Sequence, residues 1–341
     1  MNTAELGKTV QMLMAPGKGL LAMDESNPTC NKRFAALHIP QTAEMHRVYR
    51  ELIVTAPHLG DYISGAILFD ETIRQKLSNG SSFVDALRQA GIVPGIKVDM
   101  GTRDLAGFTG EKITEGLDGL AGRVNEYFQM GARFAKWRAV IVIGEGIPTA
   151  GCIDANAHAL ARYAAICQTA GLVPVVEPEV LMDGKHTLAQ CGTTTEEVLH
   201  RVFNQLHKQK VMLEGMILKP NMVLPALGCP VQETVEAVAD ATVQSILRSV
   251  PAATGGVAFL SGGQPAQPAS ERLNAMNVCW MSKMPWPLTF SFSRAIQQPA
   301  LEIWSGQAAN VSSAQQALVH RARCNSAARQ GRYNRDMEKS L

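Results

Sequence analysis

A series of charged residues follows apolar segments along this chain of 341 residues. The members of this series are Asp24, Lys97, Asp99, Lys136, Arg138, Glu177, Glu179, Lys219 and Arg294. Three of the apolar segments carry charges at positions i and i+2, which lie on one face of a β-strand. A lysine, carboxylates and further cations together suit carbonyl chemistry through an iminium. In such chemistry the neighbouring cations lower the pKa of the nucleophilic amine and the carboxylates move protons. For any single pair, a salt bridge that closes a protein core is an equally good interpretation.

Lys219 is the candidate nucleophile of this series. It lies within the apolar residues 215–223, and Pro220 biases its backbone towards an extended conformation. A lone lysine at a strand end is usually a solvated side chain. Here the flanking apolar residues leave little water around the amine, and desolvation lowers the pKa of a lysine as a Schiff-base nucleophile requires.

Two further groups of residues suggest that the substrate carries phosphate. Ser261, Gly262 and Gly263 follow an apolar segment and offer backbone N–H groups, and Arg294 follows the next segment. A second polar and cationic group, early in the chain, consists of Ser26, Thr29, Lys32 and Arg33. Each group also has a purely structural interpretation: the first would be a glycine turn, and the second a helix N-terminus with solvated basic residues. Two cationic sites that flank one lysine imply a substrate phosphorylated at both ends.

The elements that would position these residues alternate along the chain. Eight strand-like segments are predicted at residues 19–24, 63–69, 93–99, 134–141, 172–179, 215 to just past Lys219, 255–260 and 288–294. Helices are predicted between them, including one that starts with a capping box at Thr194 and Glu197, whereas residues 25–33 are predicted as a polar loop. There is no antiparallel hairpin signal. The pattern predicts a single-domain (β/α)8 TIM barrel over residues 1–341, with an extra N-terminal segment, a C-terminal helical region and a mobile tail at 334–341.

A doubly wound open sheet is the competing fold. That fold usually carries a glycine fingerprint after its first strand, whereas Gly17 and Gly19 precede the first predicted strand here. In a barrel, the charged residues would meet at the carboxyl ends of the strands, and the loops after strands seven and eight are a common phosphate site. The barrel is therefore preferred.

The composition excludes several classes of function. The net charge of +2 argues against a nucleic-acid or membrane partner, and no apolar run reaches the length of a transmembrane helix. No secretory signal is recognisable at the N-terminus. The seven cysteines form no CxxC pair and the eight histidines are dispersed, with none at a predicted strand end. We therefore expect a cytoplasmic protein with reduced thiols, no metal site and no cofactor.

Six segments resemble, in order, the motif series of class I fructose-bisphosphate aldolases. These segments are residues 21–26, 95–99, 135–138, 176–179, 218–222 and 259–264. The similarity extends from about residue 17 to about residue 333, and residues 23–27 resemble the chloroplast and cyanobacterial branch more than the animal one. The resemblance implies a metal-independent, usually homotetrameric TIM-barrel enzyme. Such an enzyme reversibly cleaves fructose 1,6-bisphosphate to dihydroxyacetone phosphate and glyceraldehyde 3-phosphate, in glycolysis, gluconeogenesis or the Calvin cycle.

The resemblance also implies a role for each candidate residue. Lys219 would form the Schiff base, Glu177 would be the main acid and base, and Asp24 would assist proton transfer during carbon–carbon cleavage. Lys136 would support the charge of the intermediates, and Glu179 would position its neighbours. The phosphate nearer the lysine would be bound by Ser261, Gly262 and Arg294. The distal phosphate would be bound by Ser26, Thr29, Lys32, Arg33, Lys97 and Arg138.

The chain departs from the family pattern at two places. Ser293 precedes Arg294 where many relatives have Gly or Ala, and the chain ends in Leu341 where animal and plant members end in a tyrosine that protonates the enamine. Two other functions remain open at this point. One is an aldolase for a longer bisphosphate such as sedoheptulose 1,7-bisphosphate. The other is a binding or scaffolding protein on a disabled barrel, which the presence of Lys219, Glu177, Asp24 and Lys136 argues against.

Overall fold

The computed structural model describes residues 3–339, in which ten strands occur. In chain order they are β1 (Gly19–Ala22), β2 (Ile63–Leu68), β3 (Val93–Lys97), β4 (Thr102–Asp104), β5 (Lys112–Thr114), β6 (Phe134–Ile141), β7 (Val173–Val180), β8 (Ile217–Leu218), β9 (Val257–Phe259) and β10 (Leu288–Phe292). Eight of them pair in parallel around a closed barrel in the order β1, β2, β3, β6, β7, β8, β9 and β10, and β10 pairs with β1. The predicted (β/α)8 barrel is thus confirmed.

Twelve α-helices occur in the same described part of the chain. They are α1 (Thr3–Leu13), α2 (Asn27–Ala35), α3 (Ala43–Val54), α4 (Asp70–Arg74), α5 (Phe83–Gln89), α6 (Leu120–Gln129), α7 (Ala150–Thr169), α8 (Leu188–Lys208), α9 (Val235–Ser249), α10 (Ala266–Trp280), α11 (Arg294–Trp304) and α12 (Val311–Arg329). None of the helices within residues 3–339 is both long enough and apolar enough to cross a membrane.

The core has two layers, which follow from the alternation of side chains along each strand. One layer fills the barrel interior, where α1 contributes Leu6, Val10 and Leu13 to a cluster with strand residues such as Phe134. A Cβ atom on Gly95 would lie only 2.3 Å from the Phe134 ring, so the ring fills the interior because that position has no side chain. The other, larger layer lies between the strands and the surrounding helices.

The lysine strand is shorter than predicted. Only Ile217 and Leu218 pair as a strand, whereas the predicted strand began at Gly215 and ended just past Lys219. Proline has no N–H group for a strand ladder, and beyond Pro220 the buried backbone is satisfied by side chains instead. The side chain of Asn221 accepts a hydrogen bond from the Val180 N–H, and Thr242 Oγ1 accepts one from the Val223 N–H. The apolar run is therefore buried without being a continuous strand.

Three other local predictions were wrong. Residues 25–33 were predicted as a loop, but α2 begins at Asn27, because proline is well tolerated in the first helical turn. Helix α8 begins after Thr187, which forms a capping box with Gln190, rather than at Thr194. An antiparallel hairpin of β4 and β5 was missed, since strands of three residues give too short an alternation to recognise.

The C-terminal segment packs against the helices. Residues Arg335–Lys339 form a short 3-10 helix, and Arg321 on α12 donates a hydrogen bond to Glu338 at 2.6 Å. Arg329, the last residue of α12, is buried and donates to the carbonyls of Met14 and Ala15. Residues 340 and 341 of the predicted mobile tail lie outside the described residues. The mobility of the tail stays a prediction.

Candidate active site

A cavity of about 940 Å³ opens at the carboxyl ends of the barrel strands. Its lining includes Asp24, Lys97, Lys136, Glu177 and Lys219, which lie on five of the barrel strands or just after them. Their gathering at this end agrees with the general position of active sites in such barrels. The charges that the sequence spreads over almost two hundred residues therefore meet in one place.

Four side chains in the cavity form a row in which positive and negative charges alternate. Lys219 Nζ lies 3.0 Å from Glu177 Oε1, and Glu177 Oε2 lies 3.3 Å from Lys136 Nζ. Lys136 Nζ in turn lies 2.8 Å from Asp24 Oδ2. All four residues are buried, with at most 8% of their surface exposed, so water hardly screens these interactions.

The charges of these four side chains determine the protonation states of Glu177, Asp24 and Lys136. Burial raises the pKa of Glu177, but the ammonium groups of Lys136 and Lys219 lower it more, so the pKa lies below its ordinary value. The pKa of Asp24 is lowered by the same two cations against the same desolvation. Burial lowers the pKa of Lys136, yet Asp24 and Glu177 raise it well above its usual range. At neutral pH both carboxylates are therefore ionised and Lys136 is an ammonium.

A second set of ion pairs lies beside the first. Lys97 Nζ is 2.6 Å from Asp99 Oδ1, and Arg138 donates through Nε to Glu179 Oε2. The Arg138 N–H also donates to Asp99 Oδ2 at 3.3 Å. Strand β6 carries Lys136 and Arg138, and β7 carries Glu177 and Glu179, so the i, i+2 pattern directs each pair to the same face as predicted.

The glycine loop lies against the arginine that follows β10. Gly262 and Gly263 have φ values of +59° and +96°, which other residues rarely adopt. A Cβ atom on Gly263 would lie 3.1 Å from Arg294 Nη2, and one on Gly262 would lie 3.8 Å from Glu179 Oε1. Ser261 is buried, whereas Arg294 is exposed. The loops after β9 and β10 thus bring backbone N–H groups and a guanidinium to one point at the cavity edge.

The early polar group is divided between the cavity and its rim. Ser26 and Thr29 line the cavity, and their hydroxyl oxygens are 3.1 Å apart. Arg33 turns towards Glu25, to whose Oε1 it donates through Nη1, and Lys32 is exposed. Ser26 and Thr29 thus lie at the start of α2 and Lys32 and Arg33 in its last turn, and the structure does not bring all four residues into the cavity.

Glu25 was missed as a site residue from the sequence. Its Oε1 accepts hydrogen bonds from Arg33 and from the Ser293 hydroxyl at 2.8 Å, so it connects the loop after β1 with the loop after β10. The buried Arg50 lies 3.6 Å from its other oxygen. The only sequence signal was its position directly after Asp24 within the motif of residues 21–26.

These features describe a barrel lyase site with a buried lysine amine, carboxylates to move protons and cationic groups at the rim. Comparisons with known proteins agree with this class. The family model for fructose-bisphosphate aldolase class-I matches residues 5–341. A probable fructose-bisphosphate aldolase class 1 of Xanthomonas campestris pv. campestris is 52% identical, over 98% of this chain and 99% of that protein.

Other relatives agree. The cytosolic fructose-bisphosphate aldolase 4 of Arabidopsis thaliana is 48% identical over 98% of this chain and 85% of its own. The structure of a Plasmodium falciparum fructose-bisphosphate aldolase, solved in complex with TRAP and an inhibitor, matches with a TM-score of 0.95 and 46% identity over 97% and 95% of the two chains.

The chain belongs to the class I fructose-bisphosphate aldolase family. Its activity is that of a carbon–carbon lyase acting on fructose 1,6-bisphosphate, which confirms the prediction from the motif series. A disabled scaffold barrel is disfavoured, because Lys219, Glu177, Lys136 and Asp24 are all present, buried and joined by successive ion pairs. The likeness to the chloroplast and cyanobacterial branch stays a prediction.

Proposed function

We propose that Lys219 is the residue that forms the Schiff base with C2 of the ketose during fructose 1,6-bisphosphate cleavage. The observation that supports this assignment is the contact between Lys219 Nζ and Glu177 Oε1 at 3.0 Å inside a buried cavity. The carboxylate can accept a proton from the ammonium, which leaves the amine free to attack the carbonyl carbon. The amine and its base are then the first two components of the reaction.

Glu177 is the acid and base of the early steps. After attack, the carbinolamine loses its hydroxyl as water, and Glu177 returns a proton to that leaving oxygen to give the iminium. Its Oε2 accepts no hydrogen bond within residues 3–339 and lies 3.3 Å from Lys136 Nζ, so an acceptor position is available for this transfer. Lys136 balances the carboxylate charge at each stage.

Asp24 acts in the carbon–carbon cleavage itself. It accepts the proton of the C4 hydroxyl, the C3–C4 bond breaks, and the bonding electrons move into the iminium to form an enamine. The aldehyde leaves as glyceraldehyde 3-phosphate. Protonation of the enamine at C3 and hydrolysis then release dihydroxyacetone phosphate and regenerate the Lys219 amine.

The two phosphates are assigned to the two rim groups. Ser261, Gly262 and Arg294 bind the phosphate nearer Lys219, because the open glycine backbone and the exposed guanidinium meet there. The distal phosphate is assigned to a larger group, of which Lys97 and Arg138 are held in place by Asp99 and Glu179. That group consists of Ser26, Thr29, Lys32, Arg33, Lys97 and Arg138.

The remaining features of the family complete the proposal. The protein works without a metal or organic cofactor, in the cytoplasm, and assembles as a homotetramer with neither nucleic acid nor a membrane as its partner. Its partners are sugar bisphosphates and triose phosphates. Mass measurement of the native assembly tests the tetramer independently of the chemistry.

The assignment of Lys219 is tested by borohydride trapping with dihydroxyacetone phosphate, followed by peptide mapping. The adduct is expected on Lys219, and Lys219→Ala should abolish it while the far-ultraviolet circular dichroism stays unchanged. Lys185→Ala, which removes an exposed lysine, serves as the matched control and should trap normally. An undiminished adduct in Lys219→Ala would move the nucleophile elsewhere, with Lys136 as the next candidate.

A further inference from the structure

Glu25 is the centre of a hydrogen-bonded network between the two phosphate sites. Its Oε1 accepts from Arg33 Nη1 on α2 and from the Ser293 hydroxyl, 2.8 Å away, directly before α11. Arg33 is assigned to the distal phosphate, whereas Arg294, the residue after Ser293, is assigned to the phosphate nearer the catalytic lysine, here called the proximal phosphate. Glu25 and Ser293 both line the catalytic cavity. One carboxylate oxygen therefore connects the two ends of the site.

Ser293 contributes its hydroxyl to this network instead of capping the helix that follows. A serine directly before a helix usually accepts a hydrogen bond from a backbone N–H of the first turn. Within residues 3–339, the Ser293 side chain makes no such bond to α11. Its hydroxyl donates to Glu25 and accepts from Gln297 Nε2 at 3.2 Å. The hydroxyl therefore holds the backbone directly before Arg294 through two partners.

Further side chains connect the same helix to β1, α2 and α3. Arg33 Nη2 donates to Gln298 Oε1 at 3.3 Å, and the Tyr49 hydroxyl donates to Gln297 Oε1 at 3.0 Å. Gln297 in turn donates to the Ala22 carbonyl at 2.6 Å. A guanidinium has five N–H donors, so Arg33 can keep its contacts with the protein and still donate to a phosphate. The first turns of α11 are thus fixed relative to the helix that carries the distal residues.

The network is largely shielded from water. The side chains of Glu25 and Arg33 are only 10% and 11% exposed, and Arg50, which donates to the Glu25 carbonyl at 3.0 Å, is buried. Hydrogen bonds to charged groups are stronger than those between neutral groups, and salt screens them little when they are buried. The positions of Arg33 and of the Ser293 backbone therefore depend on each other.

We propose that Ser293 and Glu25 are positioning residues that couple the proximal and the distal phosphate sites. Glu25 holds Arg33, and Ser293 holds the backbone before Arg294, so a phosphate bound at one site favours the binding geometry of the other. Such coupling strengthens the preference for a substrate with two phosphates over one that carries only the proximal phosphate. The inference deepens the proposed function and rests on the phosphate assignments made there.

The test compares cleavage of fructose 1,6-bisphosphate with that of fructose 1-phosphate, which has only the proximal phosphate, by the full-length protein. Ser293→Ala should raise KM for both substrates about three- to tenfold, as expected for one lost hydrogen bond, and should change kcat less than about twofold. Arg33→Ala should raise KM for fructose 1-phosphate as well, although that substrate has no distal phosphate. The double variant should raise it by less than the product of the two single effects.

Three matched variants separate the coupling from the assignments on which it rests. Ser245→Ala removes a buried serine that donates to Glu196 Oε1 at 3.2 Å and does not line the cavity, so both KM values should stay unchanged. Lys32→Ala removes the exposed neighbour of Arg33 and should raise KM for the bisphosphate only. Arg294→Ala should raise KM for both substrates. Circular dichroism of each variant shows whether the fold is retained.

The outcomes distinguish the two levels of the argument. An unchanged KM in Ser293→Ala beside a raised KM in Arg294→Ala would overturn the coupling and leave the phosphate assignments in place. An unchanged KM for fructose 1-phosphate in Arg33→Ala, an equal rise in Lys32→Ala, or fully multiplicative effects in the double variant would each overturn the coupling too. An unchanged KM in Arg294→Ala would overturn the proximal assignment and the coupling together.

Discussion

Replacement of Glu177 by glutamine tests the proton-transfer chain most directly. Glutamine keeps the size of the side chain but can neither accept nor return a proton. It also removes the negative charge between Lys219 at 3.0 Å and Lys136 at 3.3 Å. The substitution therefore separates the role of Glu177 as an acid and base from its role in filling space.

The magnitude of the effect follows from that geometry. Loss of a positioned acid and base costs about 10²- to 10⁴-fold in turnover, or about 2.7 to 5.4 kcal/mol of barrier. Removal of one partner from a buried ion pair costs up to about 3–5 kcal/mol of unfolding free energy. Asp24 still neutralises Lys136 at 2.8 Å, so we expect the stability loss to lie at the lower end of that range.

The assay measures steady-state cleavage of fructose 1,6-bisphosphate together with a urea unfolding curve. Glu111→Gln is the matched control, because Glu111 is also a buried carboxylate but caps α7 through the Thr149 N–H at 2.7 Å and the Thr149 hydroxyl. It should lose about 1–3 kcal/mol of stability and keep its turnover number. A Glu177→Gln variant that retains more than about a tenth of wild-type turnover would refute the proposed role.

The same variant carries a pH signature. Because the pKa of folded Glu177 lies below its ordinary value, its contribution to stability is present above the unfolded pKa of about 4.3. That contribution is lost as the pH falls through the folded pKa. The acid decline of the unfolding midpoint should therefore be shallower in Glu177→Gln than in the wild type, and equal slopes would contradict the charge assignment.

Two further outcomes are expected. Activity should survive prolonged EDTA treatment, since the iminium supplies the electron sink and the cavity carboxylates are already paired with cations. A loss of activity that only a divalent metal reverses would contradict this. Truncation after Tyr333 should change turnover by less than about threefold, or about 0.7 kcal/mol, because Glu338 is paired with Arg321 on α12. Proton exchange at C3 of dihydroxyacetone phosphate checks this directly, and a slowing of tenfold or more would show that the tail serves enamine protonation.

The periodic features of this protein were readable from the sequence. Strand β6 was predicted with its observed bounds, because the alternation of apolar residues with Lys136 and Arg138 is a pattern within the strand itself. The barrel followed from the alternation of strands and helices, and the gathering of charges at one end followed from the barrel. The start of α5 depends on a similarly local feature, since the Ser82 hydroxyl accepts a hydrogen bond from the Asp85 N–H three residues later.

Other features depend on groups that meet only in the folded chain. The sequence shows a largely apolar run around Lys219, but the strand ends at Leu218, and the side chains of Asn221 and Thr242 bind backbone N–H groups beyond it. Glu25 joins Ser293 across 268 positions, a contact that no local pattern encodes.

The sequence by itself determined which residues are candidates for the chemistry, because residue type and spacing along one strand are local properties. Only the tertiary structure decided their partners. Lys219 pairs with Glu177, Lys136 bridges Glu177 and Asp24, and Arg138 pairs with Glu179. It also brought Glu338 to Arg321 through the return of the terminal segment to α12. Electrostatic pairing depends on distances of a few ångströms in a medium of low dielectric, and those distances are set by the packing of the whole barrel.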